Sequence, residues 1–383
     1  MNEIKISVRN LVEFILREGD IDNRKTGGSD SAMQEGSRLH RKIQKSMGSD
    51  YHAEVPLSHT ATLSSGLSIT VEGRADGIID GEPIVIDEIK GTYRFLHKME
   101  APENIHLAQA KCYAYIYALE HELSQIKVQM TYINMDTEDI RRFNTLYEFD
   151  ELESWYLGLI KEYEKWALME IKWKESRNTS ITQVDFPYEY REGQKELVTH
   201  VYHTIVHKRK LFLEAPTGVG KTISTVFPSV KAIGEGKAER IFYLTAKTIT
   251  RTVADDTFAL MRSVGLKFKS VIITAKDKIC FMEERLCNPE ACPYAKGHFD
   301  RINEALFSVL NEREHYNRET VEEYALRFNV CPFELCLDIS LFCDGIICDY
   351  NYLFDPHVYL KRFFAENRDK NNIFLIDEAH NLV

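Results

Sequence analysis

A chain of 383 residues, 44% hydrophobic, 11% aromatic and 28% charged, has the composition of an ordinary globular protein, which excludes a disordered chain and a single small stapled domain. Its 48 basic and 59 acidic residues leave a net charge of −11, so bulk electrostatics announce no nucleic-acid binder, although phosphate contacts need only local basic patches. No apolar run reaches the roughly 18 residues of a membrane span, and the charged N-terminal stretch does not read as a signal peptide, so a cytoplasmic protein without a membrane partner is expected.

In chain order, Leu11, Phe14 and Ile15 have helical spacing, a Gly/Ser-rich loop covers 26–31, and a basic helix is expected around Arg38 to Lys45. The runs HAEVPLSH, LSITVEGRADGIID and EPIVIDEIKG carry the branched residues and period-2 alternation of strands. A helix over IHLAQAKCYAYIYALEHEL and a strand over VQMTYIN follow, then a long amphipathic helix marked by Trp155, Leu159, Tyr163, Trp166 and Met169. The polar stretch KESRNTSITQ breaks this pattern, which places a domain over 1–175 and a linker over 176–184. From about Asp185 strands alternate with helices: LFLEAP, a helix from Gly220, IFYLTA, SVIITA and IFLIDEAH. Such alternation predicts a parallel sheet covered by helices on both faces.

The segment from Leu211 to Thr222, LFLEAPTGVGKT, reads as a strand, a tight loop and a helix start. Backbone N–H groups around Thr217, Gly218 and Gly220 would converge on phosphate oxygens, Lys221 would reach the β and γ phosphates, and the Thr222 hydroxyl would ligate Mg²⁺. The apolar strand IFLIDEAH ends in Asp377 and Glu378, placed to hold the Mg²⁺ and to orient the attacking water. ATP with Mg²⁺ is therefore the expected ligand. Upstream, FPYEYREGQ ends at Gln194, whose amide, with an aromatic neighbour, could hold an adenine; the same aromatics could equally be linker packing. Thr245, after the next strand, is a candidate contact to a DNA backbone.

Seven of the eight cysteines fall between Cys280 and Cys348. Cys280, Cys287, Cys292 and Cys331, with gaps of six, four and thirty-eight residues, could enclose zinc or an iron–sulfur cluster. Cys336 is an alternative to Cys331, whereas Cys343 and Cys348 read as small buried hydrophobes. A strand-loop GKT, a cysteine-rich insertion, CDYNYLFDP and a DEAH strand together resemble the XPD/DinG family of iron–sulfur DNA helicases over residues 185–383. The resemblance implies a [4Fe–4S] cluster on Cys280, Cys287, Cys292 and Cys331, within an insertion at about 278–336 of a first motor domain.

In the N-terminal part, Asp76 and Glu88 are separated by eleven residues and Lys90 lies two beyond Glu88. On two strands of a hairpin, the carboxylates could chelate Mg²⁺ or Mn²⁺ while Lys90, on the face of Glu88, stabilises the attacking water and the scissile phosphate. His40 offers a third metal ligand, and Gln109 and Tyr113 share one helical face. This constellation resembles the RecB-like branch of the PD-(D/E)XK nucleases over about residues 10–170. That resemblance implies metal on His40, Asp76 and Glu88, a catalytic Lys90, and a DNA strand positioned by Gln109 and Tyr113.

The expected architecture is α/β: a PD-(D/E)XK nuclease-like mixed sheet with flanking helices, then a P-loop, RecA-like parallel motor domain with an iron–sulfur insertion. The expected function is that of a nuclease–helicase acting on single-stranded or forked DNA, in repair or recombination. A non-cutting DNA-binding helicase accessory and a zinc-stabilised ATPase are the rivals. Because the sequence ends just past the DEAH, with no second motor domain, residues 1–383 are expected to bind nucleotide and cut DNA without unwinding duplex.

Overall fold

The computed structural model describes residues 2–24, 30–216, 218–246, 248–364 and 371–382. The chain divides into two compact units, 1–169 and 170–383, each treated by itself below. Among the described residues no helix is long and apolar enough to cross a membrane.

The first unit holds β1 (Asn2–Ser7), α1 (Val8–Ile15), α2 (Asp30–Ser46), β2 (Tyr51–Thr62), β3 (Leu67–Ile79), β4 (Val85–Thr92), α3 (Asn104–Glu120), β5 (Gln125–Asn134), β6 (Ile140–Glu148) and the start of α4 (Phe149–Gln183). The strands form one six-stranded mixed sheet in the order β1-β3-β4-β5-β6, with β2 paired to β3. The long strand β3 is its hub. One edge runs antiparallel to β2 throughout, while the other is shared between β1, which is parallel and ends at Ser7 opposite Glu72, and β4, which is antiparallel and pairs from Gly77 opposite Asp87. Beyond Asp87, β4 leaves β3 and continues parallel to β5 as far as Thr92. Residues 73–76 thus lie where the sheet forks. On one face Leu39 and Ile43 of α2 pack with Ile89 and Ile133, so period-2 alternation turns Glu88 and Lys90 to the other face.

The second unit continues α4 and adds α5 (Gln194–Val206), α6 (Lys221–Gly234), β7 (Arg240–Leu244), α7 (Thr248–Ser263), β8 (Ser270–Ile272), α8 (Lys276–Ile279), α9 (His298–Glu312), β9 (His315–Tyr316), α10 (Arg318–Phe328), α11 (Pro332–Ser340), β10 (Gly345–Cys348), α12 (Asn351–Phe354), α13 (Lys361–Phe364) and β11 (Asn372–Ile376). Its five strands are all parallel, in the order β11-β7-β10-β8-β9. β10 is buried along its whole length, as expected of a strand with both faces covered. The chain is therefore an α/β protein with one mixed and one all-parallel sheet.

Three expectations are corrected. The stretch 176–183 is helical, being the last turns of α4: Ile181 and Val184 join the second unit's core, and the Arg177 guanidinium pairs with Asp344 at 2.5 Å, so tertiary contacts override the polar composition that suggested a linker. No strand forms over 211–216; no described strand pairs with it, and Phe212 is 92% exposed, because an apolar run becomes a strand only against a ladder partner. The strands β1, β6 and β10 were not anticipated. In β6 the mostly exposed IRRFNTLYE hides the alternation, and β10 lies inside the cysteine-bearing stretch read as bland core.

Candidate functional site

Two groups of the expected residues converge, one in each unit. In the first unit the fork in the sheet positions them. Asp76 stands next to the last β3–β4 pair, and its Oδ2 accepts the Ile89 amide at 2.7 Å, taking the place of a ladder partner where the strands part. Its Oδ1 lies 3.7 Å from His40 Nδ1 on α2. Glu88 Oε1 pairs with Lys90 Nζ at 2.8 Å, while Glu88 Oε2 is buried with no hydrogen-bond partner among the described residues.

Glu88 is only 4% exposed, and burial drives its pKa up to about 7; Asp76 pushes in the same direction, and Lys90 and His40 only partly offset it. An orphaned buried carboxylate oxygen within the field of a second carboxylate is suited to a hard cation. His40, Asp76 and Glu88 share one electrostatic field, yet among the described residues no three His, Cys, Asp or Glu side chains close on a point that could hold a metal ion.

Gln109 and Tyr113 of α3 are both buried. Gln109 Oε1 has no partner among the described residues. The Tyr113 ring lies over Gly73 at the fork, where an added Cβ would come within 2.7 Å of its hydroxyl; glycine there admits the ring. Burial first, then the Glu88 and Asp76 charges, push the phenol's pKa up and keep it a proton donor. Sequence reading passed over Asp87, on the opposite face, which accepts from Thr131 Oγ1 at 2.5 Å, Gln129 Nε2 at 3.1 Å and Tyr51 at 3.2 Å. These bonds lock β4 against β5 and β2.

In the second unit the glycine loop precedes α6. Gly218 and Gly220 adopt φ of 85° and 75°, left-handed values that suit glycine, and Gly220 caps the helix that Lys221 begins. Lys221 Nζ donates to the Ala215 carbonyl at 3.0 Å. Gln194 is buried and its amide is committed to the loop: Nε2 donates to the Val219 carbonyl and to Ser224 Oγ, each at 3.1 Å. Thr217 lies outside the described residues. At the end of β11, Asp377 and Thr222 both reach the Tyr243 hydroxyl, and burial and Glu378 raise the Asp377 carboxyl against the opposing pull of Tyr243 and Lys221. Tyr350 donates to the Asp377 carbonyl. Glu378 has φ 51°, a strained conformation for a non-glycine residue, with His380 Nδ1 3.4 Å from its Oε2. Tyr243 and Tyr350 were missed because nothing local marks them. Thr245 is 1% exposed and its hydroxyl is engaged with Thr250.

The cysteines divide by exposure. Cys280, Cys287, Cys292 and Cys331 are half-buried, whereas Cys112, Cys336, Cys343 and Cys348 are buried. Cys280 ends α8 and Cys331 caps α11, and Lys276 lies between Cys287, which it hydrogen-bonds, and the Cys331 thiol. The Cys331 amide donates to His298 Nδ1 at 3.1 Å, and burial pushes the Cys331 thiol up to about 11. Cys336, the alternative ligand, instead donates its thiol to the Ile272 carbonyl at 3.7 Å. Four half-buried thiols on caps and loops are a donor set chemically suited to iron or zinc.

Comparison with known proteins bears on the second unit. The DEAD_2 family model matches residues 263–383. The chain is 33% identical over 233 residues to the general transcription and DNA repair factor IIH helicase subunit XPD of Dictyostelium discoideum, covering 52% of this chain and 29% of that protein. It is 23% identical over 249 residues to the regulator of telomere elongation helicase 1 homolog of Caenorhabditis briggsae, covering 53% of this chain and 24% of that protein. Among solved structures, an XPD helicase matches with a TM-score of 0.34 at 19% identity, covering 51% of this chain and 33% of that one. The chain spans about a quarter of the length of the curated relatives it matches. Residues 263–383 thus carry a DEAD_2 domain, and about half of the chain is distantly homologous to helicases of the XPD kind.

Proposed function

We propose that the chain is part of an ATP-dependent DNA helicase that also cuts DNA: its second unit hydrolyses ATP as the first motor domain, and its first unit cleaves phosphodiester bonds with a divalent metal. The observation that carries the motor reading is that Thr222 and Asp377 both reach the Tyr243 hydroxyl, with the Lys221 charge acting on Asp377. Lys221 would neutralise the β and γ phosphates, Thr222 and Asp377 would hold Mg²⁺, and Glu378 would take the proton of the attacking water. Gln194 would act through the loop it braces. The homology to XPD-type helicases supports single-stranded or forked DNA as the partner and repair or recombination as the setting. It also supports an iron–sulfur cluster, for which Cys280, Cys287, Cys292 and Cys331 are the residues left out of the core.

The nuclease reading rests on the Asp76 charge acting on the buried Glu88 carboxylate where β3 and β4 part. His40, Asp76 and Glu88 would hold Mg²⁺ or Mn²⁺, which when bound would polarise the scissile phosphate. Lys90 would stabilise the developing phosphorane charge, and Tyr113 and Gln109 would orient groups beside the carboxylates.

The motor is tested by ATP hydrolysis with and without single-stranded DNA. Hydrolysis is expected to rise with DNA and to vanish in Lys221→Ala; a variant that hydrolyses ATP as fast as the parent would overturn the assignment.

A further inference from the structure

Between β4 and α3 the chain displays what a core would normally hide. Tyr93 is 47% and Phe95 66% exposed, although burying such rings is among the larger gains open to a folding chain. The segment that carries them is held in place. Asn134 Nδ2 donates to the Arg94 carbonyl at 3.0 Å, Arg141 Nη1 to the Leu96 carbonyl at 2.8 Å, and the Arg94 amide to Thr92 Oγ1 at 3.1 Å. Leu96 and Met99 are buried beneath it.

The exposed rings are interleaved with two cations, Lys98 and Arg94, the latter paired through Nη1 with Glu103 Oε1 at 2.6 Å. Lys98 Nζ stands 5.5 Å from the Phe95 centroid, and the His97 ring 5.7 Å from it. In a chain of net charge −11, this basic, aromatic outcrop runs against the overall sign. It also begins three residues after Lys90, about 10 Å farther along at the usual strand rise. Rigid exposed rings flanked by Lys and Arg suit unpaired bases and their phosphates, because a duplex keeps its base faces stacked inside.

We propose that the segment Tyr93–Lys98 is a stacking platform for single-stranded DNA, with bases against Tyr93 and Phe95 and phosphates against His97 and Lys98, and against Arg94 where phosphate displaces Glu103 from it. The platform would lead the strand to Asp76, Glu88 and Lys90. The passage to cleavage rests on the nuclease reading proposed above; the binding does not.

The test is photocrosslinking of the full chain, in EDTA and without ATP, to a single-stranded DNA oligomer carrying 5-iodouracil, with the crosslinked peptide mapped by mass spectrometry. A crosslink at Tyr93 or Phe95, displaced by unlabelled single-stranded DNA and not by duplex, is the expected result. Its absence from that peptide would overturn the proposal, and an RNA oligomer that competes better than DNA would overturn the choice of DNA. In cleavage assays the Tyr93→Ala/Phe95→Ala double variant, altered only at exposed positions, should keep the parent's melting temperature. It should raise KM for single-stranded DNA about tenfold or more with kcat unchanged; a parental KM would overturn the platform. Should the parent cut nothing, the nuclease reading fails while the crosslink still decides the platform.

Discussion

Lys90 Nζ lies 2.8 Å from Glu88 Oε1, and this ammonium offsets only part of the cost of burying the carboxylate, whose pKa still rises to about 7. The folded protein then binds a proton more tightly than the unfolded chain, where glutamate titrates at about 4.3. Stability contributed by the protonated form is present below that value and is lost as pH rises to about 7, leaving the full penalty above it. Melted in EDTA, Glu88→Gln should therefore gain stability over the parent at pH 8, by some degrees at about 2–4 °C per kcal/mol, and little at pH 4.5. The same difference at both pH values would contradict the cause assigned to the shift.

Gln194 braces the phosphate loop through the Val219 carbonyl and Ser224 Oγ. Gln194→Ala leaves both partners unmet at a cost of about 1–3 kcal/mol. ATP affinity, measured by titration calorimetry, should fall about tenfold, and an unchanged affinity would show that the loop holds itself.

Asp344 is buried and accepts from Arg177 at 2.5 Å, Trp173 Nε1 at 2.9 Å and the Lys269 amide at 2.9 Å. Asp344→Ala would strand a buried guanidinium and should cost about 3–5 kcal/mol. Urea unfolding followed by tryptophan fluorescence reads this loss, and less than 1 kcal/mol would place the pair in effectively aqueous surroundings.

Replacing Cys280, Cys287, Cys292 or Cys331 with Ser should each abolish bound iron, expected at about four atoms per chain with broad absorbance near 400 nm. Cys336→Ala, Cys343→Ala and Cys348→Ala should retain iron. Stoichiometric zinc without iron in the anaerobically purified parent would replace the cluster reading.

What could be read in the sequence was chemistry that needs neighbours in the chain. The loop at Gly218–Thr222, the carboxylates Asp377 and Glu378, and the pair Glu88 and Lys90 are each set by a local pattern: the loop precedes α6, Asp377 and Glu378 follow β11, and Glu88 and Lys90 lie within β4. What escaped depends on contacts between distant segments. Tyr243 meets Asp377 and Thr222 only because β7 lies beside β11. The helical stretch 176–183 owes its form to Asp344 and to the core around Ile181. The burial of Gln109, Tyr113 and Thr245 likewise follows from packing that a motif does not encode.

The proposal that the fork in the first sheet is a nuclease centre, working independently of the ATP site in the second unit, is tested most directly by one cleavage assay. Labelled single-stranded DNA would be incubated with Mg²⁺ or Mn²⁺ and either the parent, Asp76→Ala or Lys221→Ala. The parent and Lys221→Ala should cut and Asp76→Ala should not; equal cutting by Asp76→Ala and the parent would contradict the assignment of the fork as the nuclease centre.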